Sequence, residues 1–178
     1  MHRPATNEYV DFYAGYVNAV PEGEILALLQ SEHERTATLL RRLTPEQASY
    51  RYAEGKWSVK EVAGHIIDAE RMFGYRAHCF ARQDPAHLPG FDQTEYAKSS
   101  NADARPLAEL VDELDAVRHS HVALFGGLDE AMWSRRGIGS ECEFTVRALA
   151  YIIVGHEVHH RRVIEERYLN VAQRDMSR

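Results

Sequence analysis

The chain has 178 residues, 44% of them hydrophobic and 27% charged, with a net charge of −6. That is ordinary globular composition, enough for one domain with a proper core and tight for two. The acidic balance excludes a broad basic footprint for nucleic acid or an anionic membrane, and apolar runs such as residues 148–154 fall far short of the roughly 20 residues of a membrane span.

Residues 1–20, which include Pro4, are read as a mobile N-terminal extension of a single domain covering 1–178. A first helix is predicted from Glu22 to Leu43, where Ile25, Leu28, Leu29, Leu39, Leu40 and Leu43 recur at helical spacing until Thr44–Pro45 stops the run. A second opens at Ser58, with Glu61 three residues on as a capping box and Trp57 placed as a staple, and continues to about Arg82. Turn chemistry fills residues 83–105: Asp84–Pro85, Leu88–Pro89–Gly90 and Ser99–Ser100–Asn101. So long a connection can return the chain along the bundle and let helices two and three run parallel. A third helix is predicted from Pro106 to Phe125, and a fourth from Thr145 to about Tyr168, with a short hairpin expected around 138–144. Four long amphipathic helices make an all-α four-helix bundle.

Ten histidines are the unusual count, and histidine is the commonest metal ligand. His156 and His160, four apart, lie about 40° apart around a helix and one turn along it, so both can grip one cation. Leu149, Ile152, Ile153 and Val163 share their face, which turns both rings into the bundle. His65 stands on the inward face of the second helix among Val62, Ala69 and Met72. Three such rings form a triad that would leave coordination positions open. The run also reads HExxH, with Glu157 pointing sideways, but the rest of a zincin is absent. His121 falls on the apolar stripe of its helix and is the rival third ligand, read as a core or supporting histidine. His159 is read as surface; His33, His78, His87 and His119 carry no spacing signal.

The other polar candidates are ranked around that triad. Asp68, one turn after His65, could orient its ring or act on water. Glu32 sits on the inward stripe of the first helix, as a catalytic base or as the partner of an arginine. Arg76 and Arg167 each follow a ligand histidine by eleven residues, within about 20° of its face. Either could neutralise Glu32 or bind the carboxylates of an acidic thiol. Asp92, in the turn after Leu88, could lie over the site or simply form the turn. Cys79 is read as packing. Two cysteines without CxxC spacing and a polar N-terminus fit a reducing cytoplasm rather than export.

The residues Trp57–Ser58–Val59–Lys60–Glu61, Gly64–His65 through Arg71, Tyr75–Arg76–Ala77, Leu88 through Asp92, Gly155 through His160 and Glu166 through Leu169 resemble the DinB/YfiT-like superfamily over nearly the whole chain. That resemblance implies an up-down-down-up bundle, often a homodimer, with a metal triad on His65, His156 and His160. Imidazole donors then lead to the expectation of one divalent ion, zinc first and nickel or another transition metal next. Members with known reactions include S-transferases using bacillithiol or mycothiol and a mycothiol-dependent maleylpyruvate isomerase. The expected partners are therefore a small-molecule thiol and an electrophile, with no nucleic acid and no membrane. A hydrolase using water, and a non-catalytic metal-binding stress protein, are the competing readings.

Overall fold

The computed structural model describes residues 2–169; the rest of the expected 1–178 domain lies outside them. Four long helices build the bundle: α2 (Ile25–Arg41), α4 (Val59–Ala81), α6 (Leu107–Gly126) and α8 (Val146–Val163), the last continuing as a π-helical turn over Ile164–Leu169. Shorter helices are α1 (Ala14–Ala19), α3 (Pro45–Ser49), α5 (Gln93–Ser99) and α7 (Glu130–Trp133). The start of α4 is the predicted capping box. Ser58 Oγ accepts from the Glu61 N–H at 3.1 Å, and the Glu61 carboxylate accepts from the Ser58 N–H at 2.8 Å, which satisfies two donors that helix geometry leaves orphaned.

Which residues meet fixes the helix directions. His33 faces Glu157 and Thr36 faces Arg161, so α2 and α8 run parallel. Glu70 meets Arg118 and Gly74 lies against His121, so α4 and α6 are parallel too. Along α2 and α6 the order reverses, with Leu29 at Arg118, His33 at Asp115 and Arg41 at Asp112. It also reverses along α4 and α8, where His65 meets His160 and Phe73 meets His156. The bundle is up-down-down-up.

The connection from α4 to α6 is more ordered than its turn-rich sequence suggests. It carries α5, capped by Asp92, and a 3-10 turn at Ala102–Ala104 that packs against Gly64. Leu88 pairs with the hairpin of β1 (Arg136–Gly139) and β2 (Cys142–Thr145) through Leu88 N–H to Ile138 C=O at 2.9 Å and Ser140 N–H to Leu88 C=O at 3.0 Å.

The N-terminal residues are not the mobile extension expected. α1 lies along α8, and Gly155 is why it can: a Cβ there would stand 1.9 Å from the Tyr16 carbonyl oxygen. Tyr13, Tyr16, Val17 and Val20 have helical spacing, and burying Val17 and Val20 holds the segment down.

The core is two apolar clusters with a polar layer between them. One gathers Ile25, Leu29, Phe73, Phe80, Phe125 and Ile152; the other gathers Leu40, Val62, Ile66, Leu110, Leu114 and Ile164. Every long helix contributes ionisable residues at the level between. No helix among the described residues is long and apolar enough to cross a membrane.

Candidate metal centre

His65, His156 and His160 each bring a ring nitrogen to within 4.8 Å of the other two. The Nε2 atoms of His65 and His156 are 3.1 Å apart, and the ring centroids are separated by 4.9, 4.8 and 4.5 Å. Helical spacing stacks His156 over His160, and the antiparallel α4 delivers His65 from across the interface. Imidazole nitrogens at about 2.0–2.1 Å from a cation lie about 3.4 Å apart when tetrahedral, close to the observed 3.1 Å. Three imidazole donors with that spacing between His65 and His156 fit a divalent ion.

Aromatic rings wall this cluster: Trp57 is 4.9 Å from His65, Tyr16 is 5.3 Å from His156, and Phe73 is 6.2 Å from His156. Burial, with neighbouring histidines adding to it, pushes His65 down to about 4 and His160 to about 3. His156 is held well below the usual imidazole range for the same reasons. All three rings are neutral at physiological pH, the form that ligates metal.

Two clefts reach the triad from either side. One, of about 540 Å³, is lined by His65 and His156 with Tyr13, Phe73, Arg76 and Asp92. The other, of about 450 Å³, is lined by His160 with Lys56, Trp57, His159 and Arg167. Thr94 of α5 borders both.

The remaining candidates scatter. Glu32 is buried, but its arginine is neither Arg76 nor Arg167: Arg161 donates to it at 2.5 Å, and Arg35 stands 3.1 Å away. Arg161 follows Glu157 by one turn on the face of α8 that meets α2, whereas Arg76 and Arg167 lie in the clefts beside the triad. Asp68 makes no hydrogen bond or ion pair with His65; burial raises its pKa, and Arg71 and Glu113 are its charged neighbours. Asp92 is exposed at the cleft mouth and caps α5, its Oδ1 accepting from Thr94 and Glu95 N–H. The Arg167 guanidinium sits 5.7 Å from the Tyr52 ring. His159 is exposed, as expected, and packs against Tyr16.

His121 belongs to a different group of residues. It lies 3.2 Å from Glu70, and both join a buried lattice centred on Arg118. Arg118 donates to Glu70 at 2.6 and 2.8 Å, to Glu157 at 2.8 Å and to the Leu29 carbonyl at 2.6 Å. Glu157, read as pointing sideways, is fully buried there. His33, which showed no spacing signal, donates to Glu157 at 3.2 Å and to Asp115 at 2.7 Å. Both its nitrogens face carboxylates, which only the protonated ring can serve. Burial pushes His33 down, but Glu157 and Asp115 more than offset it and raise its pKa.

Sequence reasoning missed Tyr16, Arg118 and Glu70. The four-residue rhythm from Tyr13 to Val20 could have found the first. An arginine and a glutamate on inward stripes were the available signal for the other two, one on each of two parallel helices.

Comparisons with known proteins agree with this architecture. A protein of Geobacillus kaustophilus (strain HTA426) named "Putative metal-dependent hydrolase" is 27% identical over 139 residues, covering 77% of this chain and 78% of that one. A like-named protein of Oceanobacillus iheyensis is 22% identical over 138 residues, covering 77% and 79%. Among solved structures, YfiT from Bacillus subtilis, described as "a probable metal-dependent hydrolase with an unusual four-helix bundle topology", superposes with a TM-score of 0.73 at 16% identity, covering 83% of this chain and 86% of that one. A DinB-like protein from Bacillus subtilis, YjoA, superposes with a TM-score of 0.59 at 21% identity, covering 88% and 93%. The family model of the DinB superfamily matches residues 28–164, a span that reaches into all four long helices and takes in the three converging histidines, and the chain belongs to that superfamily.

Proposed function

We propose that the chain is a metal-dependent enzyme in which His65, His156 and His160 hold one divalent cation, zinc first, and a small-molecule thiol is the nucleophile. The observation behind it is a set of three neutral rings, two buried and His160 half-buried, converging between two clefts. Bound there, the cation would supply Lewis acidity that makes a thiol or water beside it easier to deprotonate.

The choice of thiol over water rests on what the carboxylates do. Glu32, Glu70 and Glu157 are each held by a buried arginine, and Asp68 makes no hydrogen bond or ion pair with the triad. Asp92 is the one carboxylate lining either cleft among the described residues, and its Oδ1 is engaged in capping. A bound cation brings both nucleophiles within reach of neutral pH, a thiol from about 8.5 and water from about 15.7 to about 7. Hydrolysis also needs a group that passes the proton on to the leaving group, and Asp92 is the one carboxylate placed for that among the described residues. Two clefts also suit two substrates, a thiol in one and an electrophile in the other. Trp57, Tyr16 and Phe73 keep the rings dry and oriented.

Hydrolysis is the second reading, favoured by the names of the relatives; in it Asp92 takes the proton from water. The test is metal analysis of the purified protein and of His156→Ala. Electrophile consumption is then followed with a panel of thiols, and ester or amide cleavage without them. Asn can still cap α5, so Asp92→Asn should leave thiol transfer nearly unchanged but abolish a hydrolysis that uses Asp92. Native protein without stoichiometric metal, or metal retained in His156→Ala, would overturn the metal-centre reading; metal without turnover on either panel would leave a binding protein.

A further inference from the structure

Three arginines are buried among the described residues: Arg76, Arg118 and Arg161, the first two only 1% exposed. Arg118 has Glu70 and Glu157, and Arg161 has Glu32. Arg76 has no carboxylate within ion-pairing reach among the described residues. Its Nη2 donates to the Pro89 carbonyl at 2.9 Å and to Ser140 Oγ at 2.6 Å, while Nε is buried without a partner. A buried cation with only neutral partners is costly, because desolvation is not returned by a counter-charge. Nothing in packing requires that cost, since a neutral side chain could hold the same loop.

Arg76 also lines the cleft that ends at His65 and His156. The ring of Phe73 separates the two ends, 5.9 Å from the Arg76 guanidinium carbon and 6.2 Å from the His156 ring. Tyr13 lines the same cleft, and its hydroxyl favours the charged guanidinium. Behind Arg76, Gly139 lets the hairpin close down on it, for a Cβ there would lie 2.8 Å from Nε. The guanidinium is thus held from behind by the hairpin and forms part of the cleft wall.

We propose that Arg76 anchors a carboxylate of the small molecule that reaches the triad, so that the ligand is an organic acid lying across the Phe73 ring with its reacting group toward the histidines. The second half rests on the metal-enzyme reading; the anion site does not. Burial lowers the Arg76 pKa from the usual guanidinium range, as expected of a charge awaiting a partner. The acid can be the thiol or the electrophile, and both use the same planar recognition of carboxylate by guanidinium.

Calorimetric titration of the full chain with two matched pairs tests this: 3-phenylpropionate against 3-phenylpropanamide, and 3-mercaptopropionate against 2-mercaptoethanol. Each pair is run after chelator treatment, which removes carboxylate binding to a metal, and again with added zinc. We expect at least one acid to bind about tenfold more tightly than its neutral mate, a gap of about 1.4 kcal/mol, with chelator present. That preference should fall to near unity in Arg76→Gln. The pair that shows it assigns the carboxylate to the acceptor or to the thiol. Should Arg76→Gln not fold, the double variant Lys56→Gln, Arg167→Gln decides, because it removes the cations of the other cleft: the preference persists if Arg76 is the anchor. No preference in either pair, a preference retained in folded Arg76→Gln, or one lost in the double variant overturns the proposal. Failure of the metal reading looks different: acid binding stays intact while metal or turnover is missing.

Discussion

Replacing Arg118 with methionine strands two carboxylates, Glu70 and Glu157, which are 3% and 0% exposed. Removing one partner of a buried ion pair typically costs about 3–5 kcal/mol. Two acids lose their cation here, but each keeps a histidine, His121 on Glu70 and His33 on Glu157, both at 3.2 Å. These remaining partners hold the expected loss near the middle of that range, about 4 kcal/mol. For a domain of this size that is a fall in Tm of about 8–16 °C.

The pH dependence carries a sign that a simple packing defect would lack. In the native chain burial alone would raise Glu70, but Arg118 and His121 more than offset it and hold it at about 2. Its contribution is therefore complete above the unfolded carboxyl value of about 4.3 and is lost only as the pH falls through 2. In Arg118→Met only His121 is left to offset the burial, and the folded value rises above the unfolded one. The stranded acid then penalises folding at pH 7, and the penalty is relieved as the pH falls and it takes up a proton. Urea unfolding followed by circular dichroism, with chelator present at pH 7 and pH 5, should show the gap between the two proteins narrowing on acidification. The triad histidines weaken both proteins equally and drop out of the difference. A loss under about 1 kcal/mol, or a gap that widens at pH 5, would refute the assignment of Arg118 as the counter-charge.

Three further outcomes follow from contacts. Gly155→Ala should cost about 1–3 kcal/mol by overpacking and weaken metal affinity about tenfold by shifting Tyr16 off His156; competition with a chromophoric chelator and thermal unfolding measure the two effects. Arg161→Met should cost about 1–3 kcal/mol, softened by the Arg35 contact to Glu32, while metal stoichiometry by atomic emission stays at the native value. Adding chelator to the metal-loaded protein should change tryptophan emission in Trp133→Phe but not in Trp57→Phe, since only Trp57 lies against a triad ring.

The four long helices and the triad were legible because both follow from spacing along single helices. Apolar recurrence marks a buried face, and two histidines four apart on that face have one direction to point. The N-terminal helix was misread because its apolar spacing covers only two turns, from Tyr13 to Val20, and ends against Pro21, so the stop signals outweighed the periodicity. The charge lattice was illegible for a different reason. Glu70, Arg118 and His33 sit on three helices, and nothing in one helix reports which residue of another stands opposite it. Arg76 shows the same limit. Its angular position toward the triad was readable, while the lack of a carboxylate beside it is a property of the assembled hairpin and loop.

The lattice and the triad meet on one helix. His156 and Glu157 are neighbours in sequence, about 100° apart around α8, so the turn of the helix sends one into the clefts and the other into the charge layer. Glu157 is bound by Arg118 from α6 and His33 from α2, and one turn on Arg161 is bound to Glu32 of α2. Those bonds fix the rotation of α8 about its axis, and that rotation is what aims His156 and His160 at His65. A helix packed by leucines alone could roll by several degrees at little cost, because apolar contact is not directional. Paired buried charges cannot, since a small roll leaves them unsatisfied in a low dielectric. The ion pairs at the waist therefore act less as a source of stability than as the device that keeps three imidazoles on one point.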